Sequence, residues 1–131
     1  YEALTMASII EKESASNSER ALIAGVFVAR LDLGMRLQSD PTTIYGMGDR
    51  YAGNIRRADL LEETPYNTYR IDGMPPTPIA LSGKESIVAA LNPSASDYLY
   101  FVARVDGSHQ FSRTLEEHNA AVRVHQLGSS N

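Results

Sequence analysis

The sequence predicts an α+β fold that is mainly helical, with a small antiparallel sheet (a β-hairpin) and a long irregular loop. Three observations indicate this class. Apolar residues recur at helical spacing near both ends, an aromatic strand-like segment leads into an Asp-Gly turn, and a Gly- and Pro-rich segment has no regular pattern. The 131 residues suffice for one domain with a sizeable core. We expect that domain to comprise residues 1–127, followed by a flexible tail over residues 128–131.

Two helices are predicted in the first quarter of the chain. The first covers about residues 1–13, and a serine-rich break over residues 14–18 offers several N-caps for the next helix. The second covers about residues 19–33 and ends at Gly34, a residue type favoured just after a helix C-terminus. Apolar residues cover most of its circumference, so we expect it to be the central buried helix. They are Leu22, Val26, Phe27, Val28 and Leu31.

The regular pattern fades between residues 35 and 78. Only a short helix over about residues 58–62 is predicted in this segment, which is rich in glycine, proline and tyrosine. Long irregular segments are uncommon inside compact domains and are typical of binding loops. Its tyrosines argue against disorder. We therefore expect an ordered loop that binds a substrate.

Two capping-box patterns predict the remaining helices, because a Ser or Thr is followed three residues later by Glu at residues 82–85 and 114–117. The first pattern, Ser82 with Glu85, opens a helix that ends at about Leu91, before an Asn-Pro pair. The second opens a last helix through about Gln126.

A hairpin is predicted between these two helices. Residues 97–105 are strand-like, and Asp106-Gly107 is a turn signal that leads into a second strand over residues 108–112. His109 and Phe111 share one face of that strand. Core packing explains Phe111, whereas the role of His109 stays open.

Composition and motifs exclude several function classes. The net charge of −4 opposes nucleic-acid binding, since affinity for phosphates comes from clustered Lys and Arg. We expect no metal and no cofactor, because the histidines lack metal-ligand spacing and cysteine is absent. Neither lysine, Lys12 or Lys84, is placed for Schiff-base chemistry. The chain begins at Tyr1 and has no apolar run of ~20 residues, and we interpret it as a piece of a longer protein.

A carboxylate at the end of the first helix is the strongest catalytic candidate. At about 100° per residue, Met6 and Ile10 lie on an apolar stripe; Glu13 falls roughly 60° from its centre, Glu11 roughly 100°, and Lys12 nearly opposite. A carboxylate at the margin of a buried stripe is partly desolvated, which raises its pKa and allows it to act as a general acid. The alternative is a helix-end glutamate whose carboxylate reaches water, and this segment alone leaves both open.

Tyrosine and amide side chains in the long loop suit sugar recognition. They lie in residues 37–46 and 66–69, where aromatic faces can stack on pyranose rings and amides can pair with hydroxyl and N-acetyl groups. The alternative is that the tyrosines pack the loop onto the core and the amides satisfy turns. The residues themselves do not decide between these readings.

Several blocks in one order resemble the YceG-like (MltG-type) endolytic murein transglycosylases. The blocks are residues 7–13, 34–42, 66–69, 73–76, 78–79, 98–102, 109–111 and 118–119. The chain departs from the family pattern at Ala29, where the family has Asn, at Thr77, where it has Gly, and at residues 81–83, where it has Asn-Pro-Gly. Glu13-Ser14 is also similar to the Glu-Ser pair of other lytic transglycosylases.

The resemblance implies an enzyme that cuts the β-1,4 bond between N-acetylmuramic acid and N-acetylglucosamine within nascent glycan strands and so terminates their elongation. The C6 hydroxyl of the muramoyl residue would attack its own anomeric carbon, which leaves a 1,6-anhydro end. The family's catalytic glutamate aligns with Glu13, which would act as acid and then as base. The glycan groove would be lined by Gln38, Asp40, Tyr66, Asn67, Tyr69, Tyr100 and His109.

The resemblance also implies a location and partners. Residues 1–127 would be the catalytic transglycosylase domain of a protein anchored by an N-terminal helix at the periplasmic face of the bacterial inner membrane. Peptidoglycan glycan strands would be its substrate, and cell-wall synthases its partners.

Two other functions stay open. In a hydrolytic muramidase, Asp40 would be the second carboxylate that such enzymes need. In a non-catalytic peptidoglycan-binding module, the same groove would bind glycan without cutting it.

Overall fold

The computed structural model describes residues 2–14 and 17–125, without the side chain of Asn17. Its α-helices and strands are α1 (Glu2–Glu13), α2 (Asn17–Asp32), α3 (Asp40–Met47), α4 (Arg57–Leu61), α5 (Lys84–Leu91), β1 (Tyr100–Ala103), β2 (His109–Ser112) and α6 (Leu115–His125). A 3₁₀ turn, Gly48–Arg50, follows α3. The predicted α+β class, mainly helical with one antiparallel pair, is confirmed. None of the described helices is both long and apolar enough to cross a bilayer.

The core lies where α1, α2 and α5 pack together. Ile9 and Ile10 of α1 and Ile23 of α2 are completely buried, and Phe27 is 1% exposed. Burial of one such side chain is worth roughly 1.5–3 kcal/mol, so this cluster is the main source of stability at this end of the molecule. The expectation that α2 is the central helix agrees with the fully buried run of residues 23–27.

A close backbone approach joins α2 to the segment after α5. The N–H of Ser94 donates to the carbonyl of Ala21 at 2.9 Å. A Cβ atom on Gly25 would lie 2.3 Å from the carbonyl oxygen of Ser94, so only glycine fits there. At its other end α2 stops as predicted, with Gly34 at φ +73°.

The hairpin has the predicted antiparallel pairing. Phe101 of β1 lies opposite Phe111 of β2. In the turn, the Asp106 carboxylate accepts hydrogen bonds from the N–H and hydroxyl of Ser108, and Gly107 has φ +90°. Because α6 packs on both strands, the hairpin is fixed on the side of the core formed by α2.

The segment over residues 35–78 is less irregular than predicted. It contains α3, in addition to a short helix one residue from the predicted position. The prediction missed α3 because its buried face carries Thr42 and Thr43, which have no apolar helical pattern. Their hydroxyls donate instead to the carbonyl of Ser39 at the start of the helix.

The prediction that Ser82 caps α5 was wrong. Gly83 occupies the N-cap position, and no side chain caps the helix. The N–H of Gly83 and the hydroxyl of Ser86 donate instead to Oε1 of Glu11, at 3.0 and 2.8 Å. The hydrogen-bond donors at the start of α5 are therefore paired with a carboxylate of α1, and the local sequence does not reveal this pairing.

The capping interaction predicted for the last helix is present in part. The Thr114 hydroxyl accepts a hydrogen bond from the N–H of Glu117 at 3.1 Å, as expected. The Glu117 carboxylate, however, accepts from the N–H of Arg113. Gln126, the predicted last residue of this helix, and the predicted flexible tail over residues 128–131 lie outside the described residues.

Candidate active site

The C-terminal end of α1 lies in the wall of a cleft of about 390 Å³. The rest of the lining comes from α2, the segment that leads into α3, Tyr69, the hairpin and α6. This volume falls in the range typical of small-molecule sites, roughly 300–1,000 Å³. The polar lining includes Glu13, Arg30, Gln38, Asp40, His109 and His118.

The carboxyl group of Glu13 contacts the start of α3. Its Oε2 accepts a hydrogen bond from the Ser39 hydroxyl, with an oxygen–oxygen distance of 3.0 Å. Burial raises the pKa of Glu13 to about 7; the Ser39 hydrogen bond opposes this rise, and the negative charge of Asp40 adds to it. Both protonated and ionised forms therefore exist at neutral pH, as acid–base catalysis requires. Of the two environments that the sequence left open for this carboxylate, the structure favours the desolvated one over the solvated one.

Ser39 is fixed by the segment that follows α4. Its N–H donates to Oγ1 of Thr68 at 2.8 Å, and the same Oγ1 lies 2.9 Å from Oγ1 of Thr42. All three residues are at most 1% exposed. The preceding residue, Gln38, has φ +53°, in the left-handed region that few side chains tolerate. The buried hydroxyls thus hold a strained turn that directs the Ser39 hydroxyl to the Glu13 carboxylate.

Asp40 lines the same cleft and is bonded to Tyr69. The Tyr69 hydroxyl donates to Oδ1 of Asp40 at 2.6 Å. Burial and the adjacent carboxylate raise the pKa of Tyr69, so it stays a neutral phenol. Asp40 is also the charged group that acts on the pKa of Glu13.

A second group of polar side chains is centred on Arg30 of α2. Arg30 is 6% exposed; its Nε donates to the carbonyl of Leu99 at 2.7 Å and its Nη1 to that of Arg36 at 2.8 Å. Its guanidinium lies 4.9 Å from the centroid of the Tyr100 ring, and His118 stacks on that ring at 5.1 Å. Burial and the charge of Arg30 lower the pKa of His118, so this imidazole is neutral at neutral pH.

His109 lines the cleft from β2 and is fixed by α2. Its Nδ1 lies 2.9 Å from Oε1 of Glu19, and its N–H donates to Oε2 of the same residue at 2.9 Å. The two side chains are only 6% and 14% exposed. A carboxylate at Nδ1 favours a proton on that nitrogen, which leaves Nε2 of the neutral ring as an acceptor.

The predicted groove residues fall into two groups. One group lines the cleft together with Glu13 and consists of Gln38, Asp40, Tyr69, Tyr100 and His109. Tyr66 and Asn67 do not line it. The Tyr66 hydroxyl is instead 2.7 Å from Oγ1 of Thr77, and its ring packs against Tyr45 at 4.9 Å.

Asn67 is a structural residue in this geometry. It is 1% exposed, and its Nδ2 donates to the carbonyls of Asp59, Leu60 and Glu62 at 2.6–3.3 Å. Its Oδ1 accepts from the N–H of Tyr69 at 3.1 Å. An amide occupied in this way has no polar atom free for a sugar, so the expectation of a glycan contact at Asn67 is not supported.

Glu11 has the opposite environment to Glu13. The hydrogen bonds from Gly83 and Ser86 lower its pKa, so it is ionised at neutral pH. It does not line the cleft. The structure therefore distinguishes the two glutamates as the helical angles of the sequence did.

The histidines have contacts other than metal coordination. His109 pairs with Glu19, His118 stacks on Tyr100, and Nε2 of His125 lies 2.6 Å from Oε1 of Gln110. Over residues 2–14 and 17–125, no three His, Asp or Glu side chains are grouped as ligands for a metal ion.

Comparison with known protein families gives a match over nearly the whole chain. The model of the YceG-like family matches residues 1–124. The chain belongs to the YceG-like family. An endolytic murein transglycosylase of Bacillus subtilis is 46% identical over 121 residues, which are 92% of this chain and 33% of that protein. An endolytic murein transglycosylase of Streptococcus pneumoniae is 38% identical over 130 residues, 95% of this chain and 23% of that protein.

A solved structure has the same fold. The crystal structure of a yceG-like protein from Listeria monocytogenes matches with a TM-score of 0.86 and 50% sequence identity. The match covers 92% of this chain and 39% of the Listeria chain. The chain thus spans between about a quarter and two fifths of the relatives that it matches.

Three residues in or next to this YceG-like cleft were not predicted from the sequence: Arg30 lines it, and Ser39 and Glu19 contact lining residues. Ser39 lies in the family-like block of residues 34–42, but no role was predicted for it, although it contacts Glu13. Arg30 is the one charged residue in the otherwise apolar sequence of residues 21–31 in α2, which could have indicated its special position. Glu19 is separated from His109 by 90 positions, so only the folded structure reveals their pairing.

Proposed function

We propose that this chain is the catalytic part of an endolytic lytic transglycosylase that cleaves peptidoglycan glycan strands. The observation that carries the proposal is the Glu13 carboxyl group, which is partly buried in the lining of a cleft and whose pKa desolvation raises to about 7. Membership of the YceG-like family and the names of two relatives agree with it. The bond cut would be the β-1,4 link between N-acetylmuramic acid and N-acetylglucosamine.

In the first step, protonated Glu13 gives its proton to the glycosidic oxygen as the bond from that oxygen to the anomeric carbon breaks. N-acetylglucosamine leaves with a free C4 hydroxyl. The Ser39 hydroxyl, at 3.0 Å, stabilises the carboxylate that forms. The negative charge of Asp40, in the same lining, stabilises the positive charge that develops on the anomeric carbon.

In the second step, the Glu13 carboxylate takes the proton of the muramoyl C6 hydroxyl while that oxygen bonds to the anomeric carbon. This step closes the 1,6-anhydro ring and restores protonated Glu13. No water is consumed, and one carboxyl group serves both steps because the substrate supplies the nucleophile. A pKa near 7 suits both roles, since neither form is strongly favoured at neutral pH.

Aromatic and amide side chains around Glu13 provide contacts for a sugar. Tyr69 and Tyr100 lie in the lining with Gln38, whose amide can pair with hydroxyl or N-acetyl groups. The His109 ring, held by Glu19, adds a further polar group to the lining. These residues would orient the muramoyl ring so that its C6 oxygen reaches the anomeric carbon.

The test is digestion of uncrosslinked glycan strands with product masses as the readout. We expect the wild type to produce muramoyl ends lighter by one water than reducing ends, and Glu13→Gln to produce none. Glu11→Gln is the matched control, two residues away with its carboxylate outside the cleft, and should retain cleavage. Normal cleavage by Glu13→Gln would refute the assignment, and loss in Glu11→Gln alone would move it upstream.

A hydrolytic muramidase is the second candidate, because Asp40 lines the same cleft as Glu13. Hydrolysing glycosidases need a second carboxylate to activate water or to attack carbon. Reducing ends in the wild-type digest, lost in Asp40→Asn, would establish hydrolysis. Anhydro ends in the wild-type digest exclude it.

We also propose the setting of the whole protein. Residues 1–127 would be its catalytic domain, anchored by an N-terminal helix at the periplasmic face of the inner membrane, where it would terminate the elongation of nascent strands beside cell-wall synthases. A non-catalytic binding module is the contrasting case. Glycan pull-down by the full-length protein without any change in glycan mass would identify it.

A further inference from the structure

An unpaired positive charge lies in the lining of the cleft. Arg30 is 6% exposed, and the ion pairs found among residues 2–14 and 17–125 do not include it. Its hydrogen-bond acceptors are neutral: the carbonyls of Leu99 and Arg36, and Oε1 of Gln38 at 3.5 Å. Burying a cation without an anionic partner costs free energy of folding, so its position in the lining of a cleft indicates a site for an anionic ligand.

The hydrogen bonds of Arg30 leave one nitrogen for that ligand. A guanidinium has five N–H groups, one on Nε and two on each Nη. The Leu99 carbonyl accepts the hydrogen bond from Nε. The Arg36 carbonyl and Oε1 of Gln38 accept those from Nη1. Within the described part of the chain Nη2 has no acceptor, and Arg30 belongs to the lining.

Stacking on tyrosine does not account for this charge, as Arg113 shows. Its guanidinium lies 4.6 Å from the centroid of the Tyr98 ring, much as Arg30 lies over Tyr100. Arg113, however, is exposed and paired with Asp97 at 2.7 Å. The arginine in the cleft therefore differs from its surface counterpart in lacking the anion.

The other charges of the lining do not neutralise Arg30. Among the described residues, neither Asp40 nor Glu13 forms an ion pair with Arg30; their carboxylates accept hydrogen bonds from Tyr69 and Ser39. His118, beside Arg30, is neutral. The charge of Arg30, next to Tyr100, is therefore left without an anionic partner in the described part of the chain.

We propose that Nη2 of Arg30 binds a carboxylate of the substrate. This inference rests on the proposed function, in which the substrate is a muramoyl glycan. In such a strand the carboxylate closest to the cleaved bond belongs to the lactyl group on C3 of the muramoyl ring. Where a peptide is attached to the lactyl group, the first free carboxylate is on that peptide. Either source offers the same chemistry to a guanidinium.

The test uses binding to the full-length Glu13→Gln protein, which leaves the ligand uncut. The first probe is a fluorescent muramoyl oligosaccharide with free lactyl carboxylates, and the second is the same compound with these converted to methyl amides. We expect the methyl amide to bind about tenfold more weakly, since a hydrogen bond to a charged group is lost. A peptide-bearing oligosaccharide, with and without amidated peptide carboxylates, identifies the second source.

Arginine variants locate the effect. In a Glu13→Gln background, Arg30→Gln should bind the acid and the amide equally, whereas Arg113→Gln should retain the difference. If Arg30→Gln does not fold, the acid–amide comparison on the parent protein still decides. Equal binding of the acid and amide forms in both the lactyl and the peptide series overturns the proposal.

Cleavage by the wild type, measured on the same oligosaccharides, separates this inference from the proposed function. Cleavage combined with equal binding of acid and amide overturns the Arg30 site alone. Carboxylate-dependent binding that Arg30→Gln abolishes, without any cleavage, supports the Arg30 site and overturns the transglycosylase proposal.

Discussion

The desolvated carboxyl group of Glu13 should make the stability of the protein depend on pH in a way that Glu13→Gln removes. The pKa of Glu13 rises from 4.5 to about 7 on folding, so the folded state binds this proton more tightly than the unfolded state does. The contribution of the group to stability is therefore fully present below pH 4.5 and is lost as pH rises through 7.

The size of the effect follows from the two pKa values. Each tenfold change in the protonation equilibrium is worth about 1.4 kcal/mol, so the difference between 4.5 and about 7 corresponds to about 3 kcal/mol. Glutamine has no proton to lose and can still accept the Ser39 hydrogen bond. We expect the free energy of unfolding of Glu13→Gln, minus that of the wild type, to rise by about 3 kcal/mol between pH 4 and pH 8.

Urea unfolding of both proteins across this pH range measures the difference in their free energies of unfolding. Groups that titrate alike in both proteins contribute equally and cancel in this difference. Glu11→Gln is the control of opposite sign. Its carboxylate has a lowered pKa, so it contributes stability above pH 4.5 that is lost on acidification. The control should be less stable than the wild type at neutral pH and approach it in acid. A pH-independent difference for Glu13→Gln would show that its carboxyl group is well solvated, which would remove the basis of the acid assignment.

Three further predictions concern activity and packing. The kcat/KM of glycan cleavage should fall as pH rises above about 7, because the proton donor Glu13 is lost; an unchanged rate at pH 9 would contradict this. Ser39→Ala removes the hydroxyl that lowers the pKa of Glu13, so the midpoint of that decline should move to higher pH, whereas Ser39→Thr should not move it. Gly25→Ala should lower the free energy of unfolding in urea by roughly 1–3 kcal/mol, because its Cβ meets the Ser94 carbonyl at 2.3 Å. Gly83→Ala, whose Cβ has only ordinary contacts, is its control and should change stability little.

Local patterns in the sequence were enough to predict the features that depend on one segment. The helical angle of Glu13, the Asp106-Gly107 turn and the Gly34 helix end each follow from a few neighbouring residues, and all appear in the structure. The environment of Glu13 was also predictable in direction, because an apolar stripe on a helix is buried wherever that helix packs.

Features that depend on distant partners were not predictable. Arg30 donates to the Leu99 carbonyl, 69 positions away. Because this acceptor is distant in sequence, the sequence alone would not predict that a charged residue is buried here. Glu11 satisfies the start of α5 from 72 positions away, in place of the local cap expected at Ser82. Asn67 was assigned to a ligand because its amide type suits sugars, yet backbone carbonyls of a neighbouring helix occupy it.

The acidity of Glu13 is tied to the folding of a segment far along the chain. Ser39 meets Glu13 only while Thr68, 29 positions later, holds its N–H across the left-handed turn at Gln38. If residues 62–69 detach, Ser39 loses the Thr68 hydroxyl that holds its N–H and Tyr69 leaves the lining, so the surroundings that set the pKa of Glu13 change. The proton donor then exists only in molecules with this loop docked. A local opening far smaller than global unfolding would thus act as an off switch for cleavage.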